Sequence, residues 1–497
     1  MPAGRGKSLI GPALVGFALA CIAAGFWRFC GFMRHGGLTN DWPWLYRTGL
    51  DIWQHGLPAH DTLSWTYPER AWTLYQWLFE AMAAPLYAAL GAAASVFVLC
   101  VFGWVLYAAA PAWVLARRGV HPWLTLAVGS IVLVPVGLNF SLRPMLATLV
   151  LLALQWVWLE HWRAGRLRFA VAAGGLALGY ALWSNLHLGF TLGLASLAVF
   201  AWVDLCAVRG PGVAYRLAAR LIAWAGITTI AVAASGLNPY GWRLYGYIWA
   251  LSHKSAMNAH IHELMPPSVG QPLVQLAIGL IATLLVLCAL AAWRRIALPW
   301  VALLHVALFT AMTAQAIRMV VWAGLAYVWA TAPLIQALAD SYRHPAAVPA
   351  RHGVSRRAFG GLIVLVLLIA GPVSAWSWGA VRVADCGDSA HAIRVLDDTL
   401  APGAHWFSSE RVGSCTALVA PGRRVFIDTR FDFYPESFVL AWFNAYQHRQ
   451  GWQRLFQRWH IDHALLADTA PLVRALDRDE HFTRQRIDDR MLLYSRR

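Results

Sequence analysis

Long runs almost free of charged side chains constrain this chain more than any other feature. A helix rises about 1.5 Å per residue and the hydrocarbon core of a bilayer is about 30 Å thick, so a run of about 17 to 25 apolar residues reads as a crossing. About eleven such runs occur, at residues 9–27, 84–115, 121–139, 144–160, 169–186, 189–208, 218–236, 272–292, 297–315, 319–339 and 358–378. The 84–115 run is longer than a crossing needs, and 144–160 is marginal. The hydrophobic fraction of 59% and charged fraction of 13% agree with lipid as the main solvent. The expected fold is a polytopic α-helical membrane protein.

The first run follows Arg5 and Lys7 as a signal peptide would, and Ala20-Cys21 faintly suggests a lipoprotein cleavage site. Its apolar core runs on to Trp27, too long for a cleaved segment, so a retained span is expected. Orientation follows from the arginines. Short loops after alternate spans carry Arg117 and Arg118, Arg163 to Arg168, Arg209 to Arg220, Arg294 and Arg295, and Arg343 to Arg357. With Arg5 and Lys7 they hold 16 of the 24 basic residues before position 377, which puts the N-terminus and these loops in the cytoplasm. The net charge of +16 sits mainly there, so it points to anionic lipid headgroups and not to nucleic acid.

Composition changes after residue 378, where 119 residues hold 31 charges. Residues 1–378 therefore read as the membrane domain and 379–497 as a small soluble α/β domain outside the membrane. Strands are expected at 405–409, 423–428, 463–467 and 490–495, with helices at 412–420 and 470–476. Cys386 and Cys415 could pair in an oxidising compartment or remain apart, and no cysteine has metal-ligand spacing.

Under this topology each outward turn carries a polar cluster. The first, about residues 31–83, is rich in tryptophan and holds Asp41, Asp51 and Asp61. It is expected to lie along the membrane surface as short amphipathic helices. The second holds Arg143, the third His187, the fourth Asn238 with His260, His262 and Glu263, and the fifth Arg318. An arginine at mid-bilayer costs roughly 2.5–3.5 kcal/mol, so Arg318 either snorkels to the interface or anchors an anionic lipid phosphate. Arg143 admits the same two roles beside Pro144. Asn238 suits a turn, His187 a backbone-bonded or proton-donating histidine, and Asp61 a capped turn. His260, His262 and Glu263 make a weak metal half-site or a solvated loop, without HExxH spacing. In the tail, FIDTRFDFYP offers Asp428, Arg430, Asp432 and Tyr434 as binding residues or as a structural ion pair.

The first span followed by NDWPWLYRTGLDIWQHGLPAHDTLSWT and QWLFE, together with LRP, WSNLHLGF, LNPYGW and FIDTRFDFY, resembles bacterial members of the C-type (GT-C) membrane glycosyltransferase superfamily, in an uncharacterised branch. That group includes lipid A aminoarabinose transferases and protein mannosyltransferases. The resemblance implies a polyprenyl-phosphate sugar as donor substrate, with transfer to an envelope glycan, lipid or protein on the outer, periplasmic side of the cytoplasmic membrane. It further implies a catalytic acidic residue in the first outward loop that acts as base or helps to position the acceptor or a metal, and Asp41 occupies that position. Arg143, His187, Arg318, Asp61 and Asn238 are the expected substrate-binding residues. A single Asp-Trp stands where some relatives have paired acids, so a divalent metal stays open, with no other cofactor expected. The competing readings are a transporter or flippase for a lipid-linked glycan, and a non-enzymatic envelope assembly protein. Polar clusters confined to one side, with no internal repeat, favour a transferase over a transporter.

Overall fold

The computed structural model describes residues 10–343, 386–449 and 451–497. Its membrane part runs α1 (Ile10–Gly36), α2 (Trp42–His55), α3 (Trp77–Trp104), a π-turn Val105–Ala109 and α4 (Ala110–Ala116). It continues through α5 (Pro122–Val136), α6 (Met145–Arg163), α7 (Phe169–Leu186), α8 (Phe190–Cys206) and α9 (Val213–Ser235). Two short helices follow, α10 (Arg243–Ser252) and α11 (Ser255–Asn258), then α12 (Pro272–Trp293), α13 (Trp300–Gln315) and α14 (Val320–Arg343). Seven of the described helical stretches are long and apolar enough to cross a membrane, and α5, α8 and α13 are shorter apolar helices. The expected span at 358–378 lies outside the described residues. The overlong run at 77–116 is not one straight rod: Gly91 leaves helical geometry at φ 73°, and the π-turn interrupts the hydrogen-bond ladder before α4.

Charged loops separate to two ends as alternating crossings require. At one end Arg118 pairs with Glu160, while Arg163 and Arg220 reach Asp204 at 2.6 and 3.2 Å. The other end gathers the outward loops and the tail.

The amphipathic helix expected in the first outward loop is α2, but it is not laid on lipid. Its face of Trp42, Pro43, Trp44, Leu45, Thr48 and Gly49 is buried against α3 and the tail. Gly49 is required there, since a Cβ would stand 2.3 Å from the Glu80 carbonyl oxygen. Asp51 faces outward in an i,i+4 pair with Arg47 at 2.9 Å.

The tail is a mixed four-stranded sheet with helices packed around it. Strands β1 (Trp406–Ser408), β2 (His463–Ala467), β3 (Phe482–Arg486) and β4 (Met491–Arg496) stand in the order β1-β2-β4-β3. Only β1 and β2 are parallel, and the crossover between them carries α16 (Glu410–Val419), α17 (Glu436–Tyr446) and α18 (Trp452–Arg458), after α15 (Cys386–Thr399). Cys386 and Cys415 form a disulfide with Cα atoms 5.5 Å apart, fastening α15 to α16. The strand expected at 423–428 does not join this sheet. Its Val425 instead bridges Ser64 of the first outward loop, through Trp65 N–H to Val425 O and Val425 N–H to Leu63 O, both 3.0 Å. Alternation there marks burial between two layers, not a sheet face.

A buried ion triad fixes this contact. Arg430, 1% exposed, donates to both oxygens of Asp428 and through Nη1 to Asp61 Oδ1 at 2.8 Å, with its guanidinium 4.4 Å over the Trp72 ring. Asp61 also accepts from Leu63 N–H at 3.0 Å and Ser64 N–H at 3.1 Å. Around it Trp65 stacks on His405 with ring centroids 4.1 Å apart. Removing one member of a buried charge set leaves the others uncompensated. Arg430→Ala is therefore expected to cost about 3–5 kcal/mol, read as a lowered unfolding temperature of the full chain and faster proteolysis between the two parts. The triple change Asp61→Asn, Asp428→Asn, Arg430→Met should recover most of that loss; equal stability of Arg430→Ala and wild type would contradict a supporting role for the triad.

Candidate functional site

Four charged side chains from four outward loops meet at one end of the helices. Asp41 stands at the N-cap of α2, yet its carboxylate makes no capping hydrogen bond and is free to face the cluster. Arg143 lies between α5 and α6, next to Pro144 at the N-cap of α6. Its Nη2 is 2.7 Å from Asp41 Oδ2, its Nη1 2.5 Å from Glu263 Oε2, and its Nε donates to Thr39 Oγ1 at 3.0 Å. Arg318 sits on the single 3₁₀ turn Ile317–Met319 that separates α13 from α14, and reaches Glu263 Oε1 at 4.0 Å. The Ile317 N–H donates to Met265 O at 3.0 Å, joining the fourth outward loop to the fifth.

The two arginines therefore differ. Arg143 is bracketed by two carboxylates, which spend its charge on holding Asp41 and Glu263. Arg318 keeps 43% of its side chain exposed and has one distant partner among the described residues, so it is the less committed cation.

Asp41 lies above the ordinary carboxylate range because burial penalises its charge, with Arg143 opposing and Glu263 and Asp432 adding to the rise. Burial also pushes Glu263 up, but Arg143 and Arg318 outweigh it and hold this carboxyl below its usual value. Arg143 stays charged: burial disfavours its cation, and Asp41 and Glu263 more than compensate.

His187 ends α7 beside this cluster, pushed down to about 3 by burial and then by the Arg318 charge. Its Nδ1 accepts from Gly189 N–H at 3.1 Å, and the Thr148 hydroxyl lies at 2.8 Å, itself accepting from Trp183 Nε1–H at 2.9 Å. With Nδ1 occupied as an acceptor, the neutral ring carries its proton on Nε2.

The tail completes the wall, bringing in Asp432 of the FIDTRFDFYP segment together with residues that the sequence did not assign. Thr429 of the FIDTRFDFYP segment accepts from Trp44 Nε1–H at 3.0 Å and hydrogen-bonds the Asp41 carboxylate. Asp432 accepts from the Tyr247 hydroxyl at 2.9 Å, and the Tyr247 ring lies 5.7 Å from that of Tyr75. Lys254 caps the carbonyls of Asp432 and Tyr434 at 2.8 and 2.9 Å, fixing the segment on α10 and α11. Glu80 of QWLFE is 1% exposed, with Oε1 accepting from Gln76 at 3.0 Å and Oε2 without a partner among the described residues. The quoted motifs were the available signal, but only the fold supplies their proximity.

Other expected binding residues lie apart from the cluster. Asp61 is buried, with Oδ1 accepting from Arg430 and the Leu63 N–H and Oδ2 from Ser64. Asn238 is spent on its own turn: it accepts from Tyr240 N–H at 2.9 Å and donates to Ser235 O at 2.8 Å. That turn sets the Tyr240 hydroxyl to accept from Leu74 N–H at 2.8 Å, beside Tyr75, which makes Asn238 a shaping residue. His260 bonds Ala256 O at 2.9 Å and packs on Phe443, away from Glu263. Among the described residues no group of three His, Cys, Asp or Glu is arranged to hold a metal ion. Asp41 and Glu263 are both paired with Arg143.

No protein-family model matches the sequence, and no curated protein matches it. The fold has solved counterparts. It is similar to the Archaeoglobus fulgidus oligosaccharyltransferase tethered to an acceptor peptide containing the NVT sequon, with TM-score 0.53 and 12% identity, over 90% of this chain and 69% of that one. It is likewise similar to the archaeal oligosaccharyltransferase AglB from the same organism in complex with an inhibitory peptide and a dolichol-phosphate, with TM-score 0.51 and 13% identity over the same shares. This chain thus shares its fold with these archaeal oligosaccharyltransferase structures.

Proposed function

We propose that this protein transfers a sugar from a polyprenyl-phosphate-linked donor to an envelope acceptor at the outer face of the bacterial cytoplasmic membrane, with its tail in the periplasm. The observation that carries this reading is the meeting of an activatable carboxylate, Asp41, with a lightly committed arginine, Arg318, at one end of a helical membrane fold. The likeness to lipid-linked glycan transferases supports it.

The chemistry follows from the cluster. An acceptor hydroxyl is a weak nucleophile, and a carboxylate within hydrogen-bond reach can take its proton as the oxygen attacks the anomeric carbon. The new C–O bond forms as the bond from that carbon to the donor phosphate breaks, in a single displacement that inverts the centre. The lipid phosphate departs with the bonding pair. Its charge needs stabilisation more than protonation, which the Arg318 guanidinium and the neutral His187 Nε2–H can provide. Arg143 acts indirectly: it orients Asp41 and lowers its proton affinity against the cost of burial.

Mass spectrometry of polyprenyl-phosphate sugars bound to the purified protein tests the donor. Specific donor binding should survive Asp41→Asn and weaken in Arg318→Ala; a folded wild type that takes up no such lipid would remove the donor from this reading. In a turnover assay that follows release of polyprenyl phosphate, Asp41→Asn should lose about 10²–10⁴-fold in kcat. Undiminished turnover would exclude Asp41 as the base.

The pH profile provides a separate check. Asp41 works ionised, so kcat/KM should fall as pH drops through its proton affinity, above the ordinary carboxylate range. Arg143→Gln removes a charge that lowers this affinity, so the acid limb should move to higher pH. His187→Gln should reduce the rate without moving the limb, because His187 is neutral down to about pH 3. A limb that moved with His187 and not with Arg143 would reassign the titrating group.

A further inference from the structure

At the arginine-rich end, opposite the cluster around Asp41, a cavity of about 530 Å³ opens between the ends of α4, α6, α8, α13 and α14. Its volume is typical of a ligand site. Trp156, Phe200, Trp300 and Trp329 line it, and Arg118 and Arg163 stand at its rim. A second, polar cavity of about 370 Å³ shares Arg118, Glu160 and Arg163 and adds Arg166, Asp204 and Arg220. An aromatic chamber therefore continues into a basic vestibule.

The charges there do not cancel. Glu160 is paired with Arg118, and Asp204 with both Arg163 and Arg220, while Asp340 on the chamber wall accepts from Gln336, so across both cavities four arginines face three carboxylates. The Arg166 guanidinium has no acceptor among the described residues. A further unmet group lies on the apolar side: Trp329 is 7% exposed and its indole N–H has no hydrogen-bond partner among the described residues. A buried donor left unpaired is costly, so an acceptor supplied from outside would be stabilised there.

We infer that these joined cavities bind one anionic glycerophospholipid of the cytoplasmic leaflet, with its phosphate among Arg118, Arg163, Arg166 and Arg220, an acyl chain along Trp156, Phe200 and Trp300, and an ester carbonyl on the Trp329 indole. Three features of one molecule match three features of the site. A free phosphate would leave the aromatic chamber empty, and a polyprenyl phosphate has no ester carbonyl for Trp329. Basic pockets between helices on the cytoplasmic side suit anionic headgroups. The assignment is independent of the proposed transfer reaction, which uses the opposite end.

The test reconstitutes the full chain in phosphatidylcholine vesicles containing a trace of phosphatidylglycerol with a photoactivatable diazirine on its acyl chain. After illumination, labelled peptides are identified by mass spectrometry. Label is expected on the peptides holding Trp156, Trp300 and Trp329, at least about tenfold above that from a phosphatidylcholine probe with the same chain. Arg166→Gln should weaken it about fivefold, and Ala337→Trp, which fills the chamber wall, should abolish it. An ether-linked phosphatidylglycerol probe should label wild type less than the ester and should label Trp329→Phe equally with it. Equal labelling by both headgroups, label confined to the outer helix surfaces, or label unaffected by Ala337→Trp would overturn the inference. Displacement of the probe by equimolar inorganic phosphate would assign the vestibule to a free anion and overturn it too. If Ala337→Trp does not fold, the comparison of headgroups on the wild-type chain decides alone.

Discussion

The buried triad of Arg430 with Asp61 and Asp428 is the contact on which the rest of the outward face depends. It joins side chains 369 residues apart at 2.8 Å and is shielded by Trp72 and Phe433. Charges taken so far from water are stable only as a complete set, which makes docking of the tail an all-or-none geometry. Two residues of the same segment then reach the cluster, Thr429 against Asp41 and Asp432 against Tyr247. A helix array alone would leave Asp41 facing open water. The docked segment adds two opposed influences on it, the Asp432 charge raising its proton affinity and the Thr429 hydrogen bond lowering it.

Within the cluster the decisive element is Arg143, because it sets apart two carboxylates of opposite character. Asp41 is held above its ordinary range by burial and Glu263 below it by two arginines. One holds its proton more readily than an ordinary carboxylate while the other stays ionised as a counter-charge. That division of roles keeps Arg318 available at the rim, since Glu263 touches it only at 4.0 Å.

Much of this was legible in the residues, for physical reasons. Apolar run length reports helices because lipid offers the backbone no partner, and arginine placement separates the two ends. Asp41, Arg143, His187 and Arg318 are readable as one group since each lies in an outward turn of an otherwise apolar chain. Asp61 and Asn238 also stood out as scarce polar residues, but scarcity does not distinguish a substrate contact from a buried clasp or a turn. Glu263 drew attention through its histidine neighbours, whereas its partner is an arginine 120 residues away. Thr429 was beyond reach, and Asp432 was readable in the tail but not as a neighbour of the cluster, because no local pattern reveals that residue 429 touches residue 44. The same limit misplaced the strand at 423–428, whose alternation reflects packing against a distant loop.

The great separation along the chain of the clasp partners has a consequence for how the molecule is made. Asp61 is synthesised among the first helices and Arg430 only after nearly all the rest. At roughly 5–20 residues per second, the carboxylate waits on the order of half a minute for its cation. During that interval the first outward loop has no tail to cover it and Asp41 is solvated as an ordinary surface acid. The chain therefore acquires its distinctive carboxylate only once the segment around Arg430, made 369 residues after Asp61, has docked.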